Sequence, residues 1–236
     1  MASSARALLI KVKKIPMILK RKTIRFISKI RASIMRCFRN IVRDNSYEFP
    51  KRLLIYTIFE SEKHLQEYKV LFLEGLLPFA DRVEIVVNGT LPENDLKRLA
   101  KYGNVQQREN KGYDAGAFQF GILSLSYQEL QQFDQLLLVN DTNIGPLSDL
   151  AEVFKRMDSK KLDFWGMSFG EVQPDFTGMN PYGFIPEHLQ SYFLVIEHSL
   201  LKDKLFYHYW QNLPDTSSRN AAIGRHETVF TRYFSN

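Results

Sequence analysis

The hydrophobic rhythm of the chain changes near residue 50. Before that point Ile24, Ile27, Ile30, Ile34, Phe38 and Ile41 recur every three or four residues. At about 100° per residue these six fall within an arc of roughly 120°. Lys22, Arg25, Lys29, Arg36, Arg39 and Arg43 fall on the opposite side, with Arg31 at the edge of the apolar stripe, where a long stem can snorkel. The spacing predicts an amphipathic helix. After residue 50 short apolar runs alternate with helical spacings. The runs 53–59, 83–87, 105–108, 135–139 and 162–167 are short and rich in β-formers, as buried strands are. Between them Leu65, Tyr68, Leu71, Phe72 and Leu76 step at helical intervals. A second helix opens at Pro92 with Glu93 and Asp95 behind it and ends at Gly103, and 147–157 predicts a third. After a Pro- and Gly-rich loop over 170–186, a strand over 188–196 and a helix over 200–210 close the pattern.

Strands alternating with helices predict an α/β domain, a mostly parallel sheet flanked by helices on both faces. The chain therefore divides into a basic amphipathic N-terminal arm, 1–48, and an α/β domain, 49–236. Ligands of such sheets collect beyond the carboxyl ends of the strands. Three predicted strand ends carry polar side chains: Asn88, the Asn140–Asp141 pair, and Arg108-Glu109-Asn110 leading into a Gly-rich segment.

Charge sharpens the division. The 32 Lys/Arg and 26 Asp/Glu give a net +6, yet the first 43 residues hold 13 basic side chains and no acidic one. The remainder carries 19 basic against 26 acidic, a net −7. The arm reads first as a helix on an anionic membrane surface through 17–43, where each cation contributes about 1 kcal/mol. Packing of its stripe on the domain is the alternative, and a removable targeting segment is the third reading. Nucleic acid is disfavoured, because Phe26 and Phe38 give no stacking platform and the acidic domain repels a polyanion. The longest stretch without a charged side chain, 115–128, has 14 residues, short of the about 20 that span a bilayer. Thirteen per cent aromatic residues with 12 Gly and 9 Pro exclude a disordered or fibrous chain. The single cysteine, Cys37, excludes a disulfide framework and a cysteine zinc site and fits a reducing compartment.

The runs RENKGYDAGAF at 108–118 and LLLVNDTNIGP at 136–146 carry a further signal. With DFWG at 163–166, HLQSYF at 188–193 and the segment around Glu227, they resemble the rhamnan synthesis protein F family. The resemblance covers about 53–234 and not the arm. It implies a GT-A-like fold and a sugar-nucleotide-dependent glycosyltransferase of bacterial surface polysaccharides. Transfer of rhamnose from dTDP-rhamnose to a lipid-linked glycan, with inversion, is the favoured activity, at the cytoplasmic face of the cell membrane with the protein held peripherally. The alternative is a non-catalytic sugar- or nucleotide-binding scaffold subunit that keeps the fold.

Such a transfer releases a diphosphate, whose charge needs a divalent cation or fixed cations and dipoles. Asp141 is the first candidate ligand for Mg²⁺ or Mn²⁺, with Asn143 or Asn140 assisting. Many GT-A enzymes use Asp-x-Asp where this chain has Asp141-Thr142-Asn143, and that loss of a carboxylate is what favours the scaffold. Otherwise Asp141 caps the turn before Pro146. Asn88 either accepts from the N3–H of a pyrimidine base or is a plain Asn-Gly turn residue. Thr57 and Phe59 line the same base pocket or belong to the core. Asn110 and Asp114 suit ribose or sugar hydroxyls and Lys111 a phosphate, with Gly112 and Gly116 allowing close backbone approach or a helix entry. Inversion needs a base for the acceptor hydroxyl: Glu227 is first, Glu187 second, each otherwise a surface charge. His188, Gln190 and Tyr192 are the acceptor-facing candidates, and Trp165 either stacks on a sugar or fills the core.

Overall fold

The computed structural model describes residues 50–214 and 216–235. The predicted basic helix, its membrane reading and the boundary at 48 lie outside the described residues. The apolar runs condense into strands β1 (Arg52–Glu60), β2 (Arg82–Gly89), β3 (Asn104–Arg108), β4 (Gln135–Asn140) and β5 (Phe164–Gly166). Four two-residue strands follow, β6 (Phe169–Gly170), β7 (Gln173–Pro174), β8 (Phe184–Ile185) and β9 (His188–Leu189), and then β10 (Phe193–Glu197). The helices are α1 (Glu67–Leu76), α2 (Glu93–Leu99), α3 (Tyr113–Leu123), α4 (Tyr127–Leu130), α5 (Leu150–Asp158), α6 (His198–Leu201), α7 (Lys204–Gln211), α8 (Arg219–Ala222) and α9 (Thr228–Phe234). Among the described residues no helix is long and apolar enough to cross a membrane.

The central sheet runs β3-β2-β1-β4-β10-β5. Strands β1 to β4 are parallel, and β10 runs antiparallel to both of its neighbours. The chain steps outward from β1 to β2 and β3, then returns to the other side of β1 to lay down β4. The β1–β4 junction is therefore the topological switch point, where open α/β sheets hold their ligands.

Alternation within the apolar runs supplies both faces. Leu54, Tyr56, Ile58, Leu137 and Val139 pack with Leu73 and Leu76 of α1, Leu99 of α2 and Phe154 of α5. Leu53, Ile55, Val86, Leu136 and Leu138 pack on the other side with Phe118 and Ile122 of α3, Trp210 of α7 and Phe230 of α9. Strands buried on both faces read as continuous apolar runs, which is why they were legible in the sequence.

Two expectations change. The predicted strand over 188–196 is divided into β9 and β10 by a turn at 190–192, which stays tied to its neighbours at the sheet's carboxyl edge. There the Asn140 N–H donates to the Tyr192 carbonyl at 3.1 Å and the Gln190 N–H to the Ser168 carbonyl at 3.1 Å. Asn88 is no turn residue: it lies within β2, in register between Phe59 and Arg108.

Candidate active site

A cleft of about 210 Å³ opens at the carboxyl edge of β4. The sequence candidates that line it are Asp114, Asn140, Gln190, Tyr192 and Glu227. They come from four parts of the fold. Asp114 stands in the first turn of α3, Asn140 at the end of β4, and Gln190 and Tyr192 in the break between β9 and β10. Glu227 ends a five-residue π turn, Ile223–Glu227, wedged between α8 and α9. Such turns re-aim side chains and occur often at functional sites. Here one leaves Glu227 half-buried, its Oε1 accepting from the Ser191 N–H at 3.2 Å.

The Gly-rich loop aims Asp114. Gly112 takes a left-handed φ of 79° and Tyr113, unusually for its type, a φ of 54°, the backbone strain expected where a site dictates the chain's path. A Cβ on Gly116 would sit 2.2 Å from the Lys111 carbonyl oxygen, which itself accepts from Arg108 Nη2 at 2.6 Å. Gly116→Ala is thus expected to push Lys111 off Arg108 and cost about 1–3 kcal/mol. A thermal melt checks it, and an unchanged midpoint would contradict the packing described.

Asp114 Oδ2 accepts from Asn140 Nδ2 at 2.7 Å, while Asn140 Oδ1 accepts from the Thr142 hydroxyl at 2.6 Å. Burial, then the charges of Asp141 and Glu227, push the Asp114 carboxyl up to about 6, against the opposing bond from Asn140. The folded chain therefore holds this proton between its ordinary 3.8 and about 6, and stability falls as pH rises through that window. At pH 7 the ionised group costs at most about 3 kcal/mol. Asp114→Asn should raise the melting midpoint at pH 7 and leave it nearly unchanged at pH 4; equal shifts at both would show that its charge is not the cause.

Asp141 lies just beside the cleft, buried. Its Oδ2 pairs with Lys69 Nζ at 2.8 Å and accepts from the Phe59 N–H at 3.0 Å. Lys69 also pairs with Glu60 at 2.9 Å and donates to the Phe59 carbonyl. All three charged side chains are at least nine-tenths buried. Burial pushes the Asp141 carboxyl up, opposed by Lys69. Burial alone would lower the ammonium, but its bonds first to Asp141 and then to Glu60 outweigh this, so Lys69 is held charged.

The other candidates stand apart from the cleft lining. Both ends of the buried Asn88 amide are engaged, Oδ1 accepting from Arg108 at 2.6 Å and Nδ2 donating to the Tyr113 carbonyl at 3.2 Å. Thr57 is buried, with no partner for its hydroxyl oxygen among the described residues. Lys111 is exposed and pairs with Glu109 at 2.7 Å; Asn110 and Glu187 are exposed. Asn143 Nδ2 reaches the Tyr192 carbonyl at 3.5 Å. His188 is buried with Nδ1 2.8 Å from the Pro186 carbonyl. Trp165 is buried between Phe154 and Phe193, its indole N–H donating to Glu197 at 2.9 Å.

The lining residues that the sequence does not mark as site residues include Ser191, Arg219 and His226. Arg219 is an exposed cation at the start of α8. His226 is fully buried and kept neutral by that burial, at about 3. Its Nδ1 lies 2.8 Å from the Tyr209 hydroxyl, and its Nε2 has no partner among the described residues.

Among the described residues no three His, Cys, Asp or Glu converge as a metal cage. The charge of Asp141 disfavours that of Asp114, and a cation relieves such an effect. The donor set suits a hard ion such as Mg²⁺ or Mn²⁺ held by two carboxylates and completed by a ligand's phosphates. One oxygen of Asp141 is already committed to Lys69.

The fold is that of an α/β protein with a mostly parallel sheet, and its polar cleft opens at the carboxyl edge of β4, the edge at which such sheets hold small ligands. The chain belongs to the rhamnan synthesis protein F family, whose model matches residues 83–236. It is 29% identical over 183 residues to the uncharacterised protein y4gN of Sinorhizobium fredii (strain NBRC 101917 / NGR234). That match takes in 77% of this chain and 44% of the relative, so the chain spans under half of the relative's length. Core-mannan synthase A from Aspergillus fumigatus, solved in its Mn/GDP form, is a remote structural neighbour. It has 10% identity and a TM-score of 0.37, over 76% of this chain and 66% of that one.

Proposed function

We propose that the protein is a nucleotide-sugar-dependent glycosyltransferase, with dTDP-rhamnose as the favoured donor and a lipid-linked surface glycan as acceptor. The observation that carries this reading is the meeting of Asp114, Asn140 and Glu227 in one cleft beside Asp141. Family membership supports it. In this reading the acceptor hydroxyl loses its proton to Glu227, its oxygen bonds to the sugar's anomeric carbon from one side, and the bond to the diphosphate breaks on the other. The configuration inverts and the nucleoside diphosphate leaves. Asp114 and Asn140 orient the sugar or ribose hydroxyls, and Arg219 faces the charge that develops on the leaving oxygen. A divalent ion, when bound with the donor at Asp141 and Asp114, supplies further neutralisation of that charge. Gln190 and Tyr192 face the acceptor. The basic arm through 17–43 brings the enzyme to the inner face of the membrane, where such an acceptor is anchored.

A second reading, a scaffold that binds the nucleotide without turning it over, is favoured by one observation: Lys69 already occupies an oxygen of Asp141. Calorimetric titration with dTDP-rhamnose, UDP-glucose and UDP-N-acetylglucosamine, with and without Mg²⁺ or Mn²⁺, tests donor binding. Asp141→Asn keeps the acceptor for the Phe59 N–H and removes the charge. The transferase reading expects saturable binding of one donor that weakens in the variant; a folded protein silent toward all three contradicts it.

A further inference from the structure

A second cavity, of about 450 Å³, lies between α7, α9 and the loop at 179–181. Its volume falls within the range of small-molecule sites, and its make-up matches theirs, an apolar floor with a few polar groups. Tyr209, Tyr233 and Met179 supply flat and polarisable surface, and His208, Asn212 and Arg225 supply hydrogen-bonding groups. The two tyrosine rings lie 5.1 Å apart, and Tyr233 is 40% exposed. This combination suits a pyranose, whose C–H faces lie on aromatic rings while its hydroxyl edges take polar partners. A 6-deoxy sugar carries a methyl in place of the hydroxymethyl group, and such a floor accommodates it.

The position argues for which sugar. No strand of the central sheet contributes to the lining, so the cavity is off the edge where the donor's phosphates and base are placed. It shares a wall with the reaction cleft instead. Three consecutive residues of the π turn divide between the two spaces: Arg225 lines the second cavity, while His226 and Glu227 line the cleft. The hydrogen bond of Tyr209 to His226 joins the two walls directly. An acceptor whose hydroxyl reaches Glu227 must lead the rest of its chain away from the donor, and this wall adjoins Glu227.

We infer that the cavity between α7 and α9 is an acceptor subsite, holding a sugar unit of the growing glycan some way back from the hydroxyl that reacts. The inference rests on the transferase reading above and names where its acceptor binds. The test uses the full chain with two probes, an α-linked rhamnotriose and dTDP, titrated separately. Tyr233→Ala and Arg225→Gln should each weaken the trisaccharide by about tenfold, near 1.4 kcal/mol, and leave dTDP affinity unchanged. Thermal melts of both variants establish that they are folded, and Arg225→Gln, which removes no packing ring, carries the test should Tyr233→Ala unfold. Trisaccharide affinity unaltered in the folded variants overturns the subsite. So does a protein that binds dTDP but no trisaccharide, and in that case the donor site stands. A protein that binds neither loses the transferase reading and the subsite together.

Discussion

Glu227→Gln is expected to lower kcat by about 10²–10⁴-fold, the range contributed by a positioned general base. Donor affinity should stay within about twofold, because Gln keeps the shape and the carbonyl oxygen that accepts from the Ser191 N–H. The loss belongs in kcat: the interaction removed forms only as the acceptor hydroxyl gives up its proton. Single-turnover kinetics with saturating donor separate this step from product release. A variant within about tenfold of the wild type would move the base elsewhere, and Asp114, which faces the same cleft, would be next in line.

The second large effect concerns the fold beneath the site. Lys69→Met should destabilise the protein by about 3–5 kcal/mol, the cost of removing one member of a buried ionic cluster. Glu60 and Asp141 would then stand together in the core edge, each at least nine-tenths buried, with no ammonium between them. Methionine fills much of the lysine stem's volume, so the loss measures charge rather than a cavity. Denaturant unfolding followed by circular dichroism reads it as a lower midpoint at unchanged slope. The loss should shrink as pH falls and the Asp141 carboxyl, pushed up by burial, takes a proton. A change below about 1 kcal/mol would mean that the cluster is solvated and worth no more than a surface pair.

Much of this was legible before any coordinates. The runs 53–59, 83–87 and 135–139 became β1, β2 and β4 because strands buried on two faces leave an unbroken apolar signature. Asp114, Asn140 and Glu227 could be named because strand ends and Gly-rich turns of α/β sheets face ligands and because the family motifs coincide with them. Lys69 could not. On a helix its charge reads as solvated, and only the parallel pairing of β1 with β4 brings Phe59 and Asp141 over it. Arg219 was hidden for a different reason: α8 is a single turn, too short for any periodicity to show. The break at 190–192 is hidden in the sequence because Leu189 and Phe193 continue an apolar pattern on both sides of it. The polar Gln190 and Ser191 between them were the available sign of the turn. Asn88 shows the limit of reading a side chain by its position alone. The sequence places it at the carboxyl edge, but its amide is engaged by Arg108 at the end of β3 and the Tyr113 carbonyl at the start of α3, the two ends of one connection.

The most direct test of the transferase account is to follow dTDP-rhamnose consumption and dTDP release by the full chain. The assay uses membranes carrying its native lipid-linked acceptor and compares wild type with Glu227→Gln at equal occupancy of donor. The account predicts dTDP formed together with a rhamnose-extended glycan by the wild type, and both formed about 10²–10⁴-fold more slowly by the variant. Donor bound but never consumed by the wild type, under conditions where the acceptor is present, would contradict it and leave a nucleotide-binding scaffold.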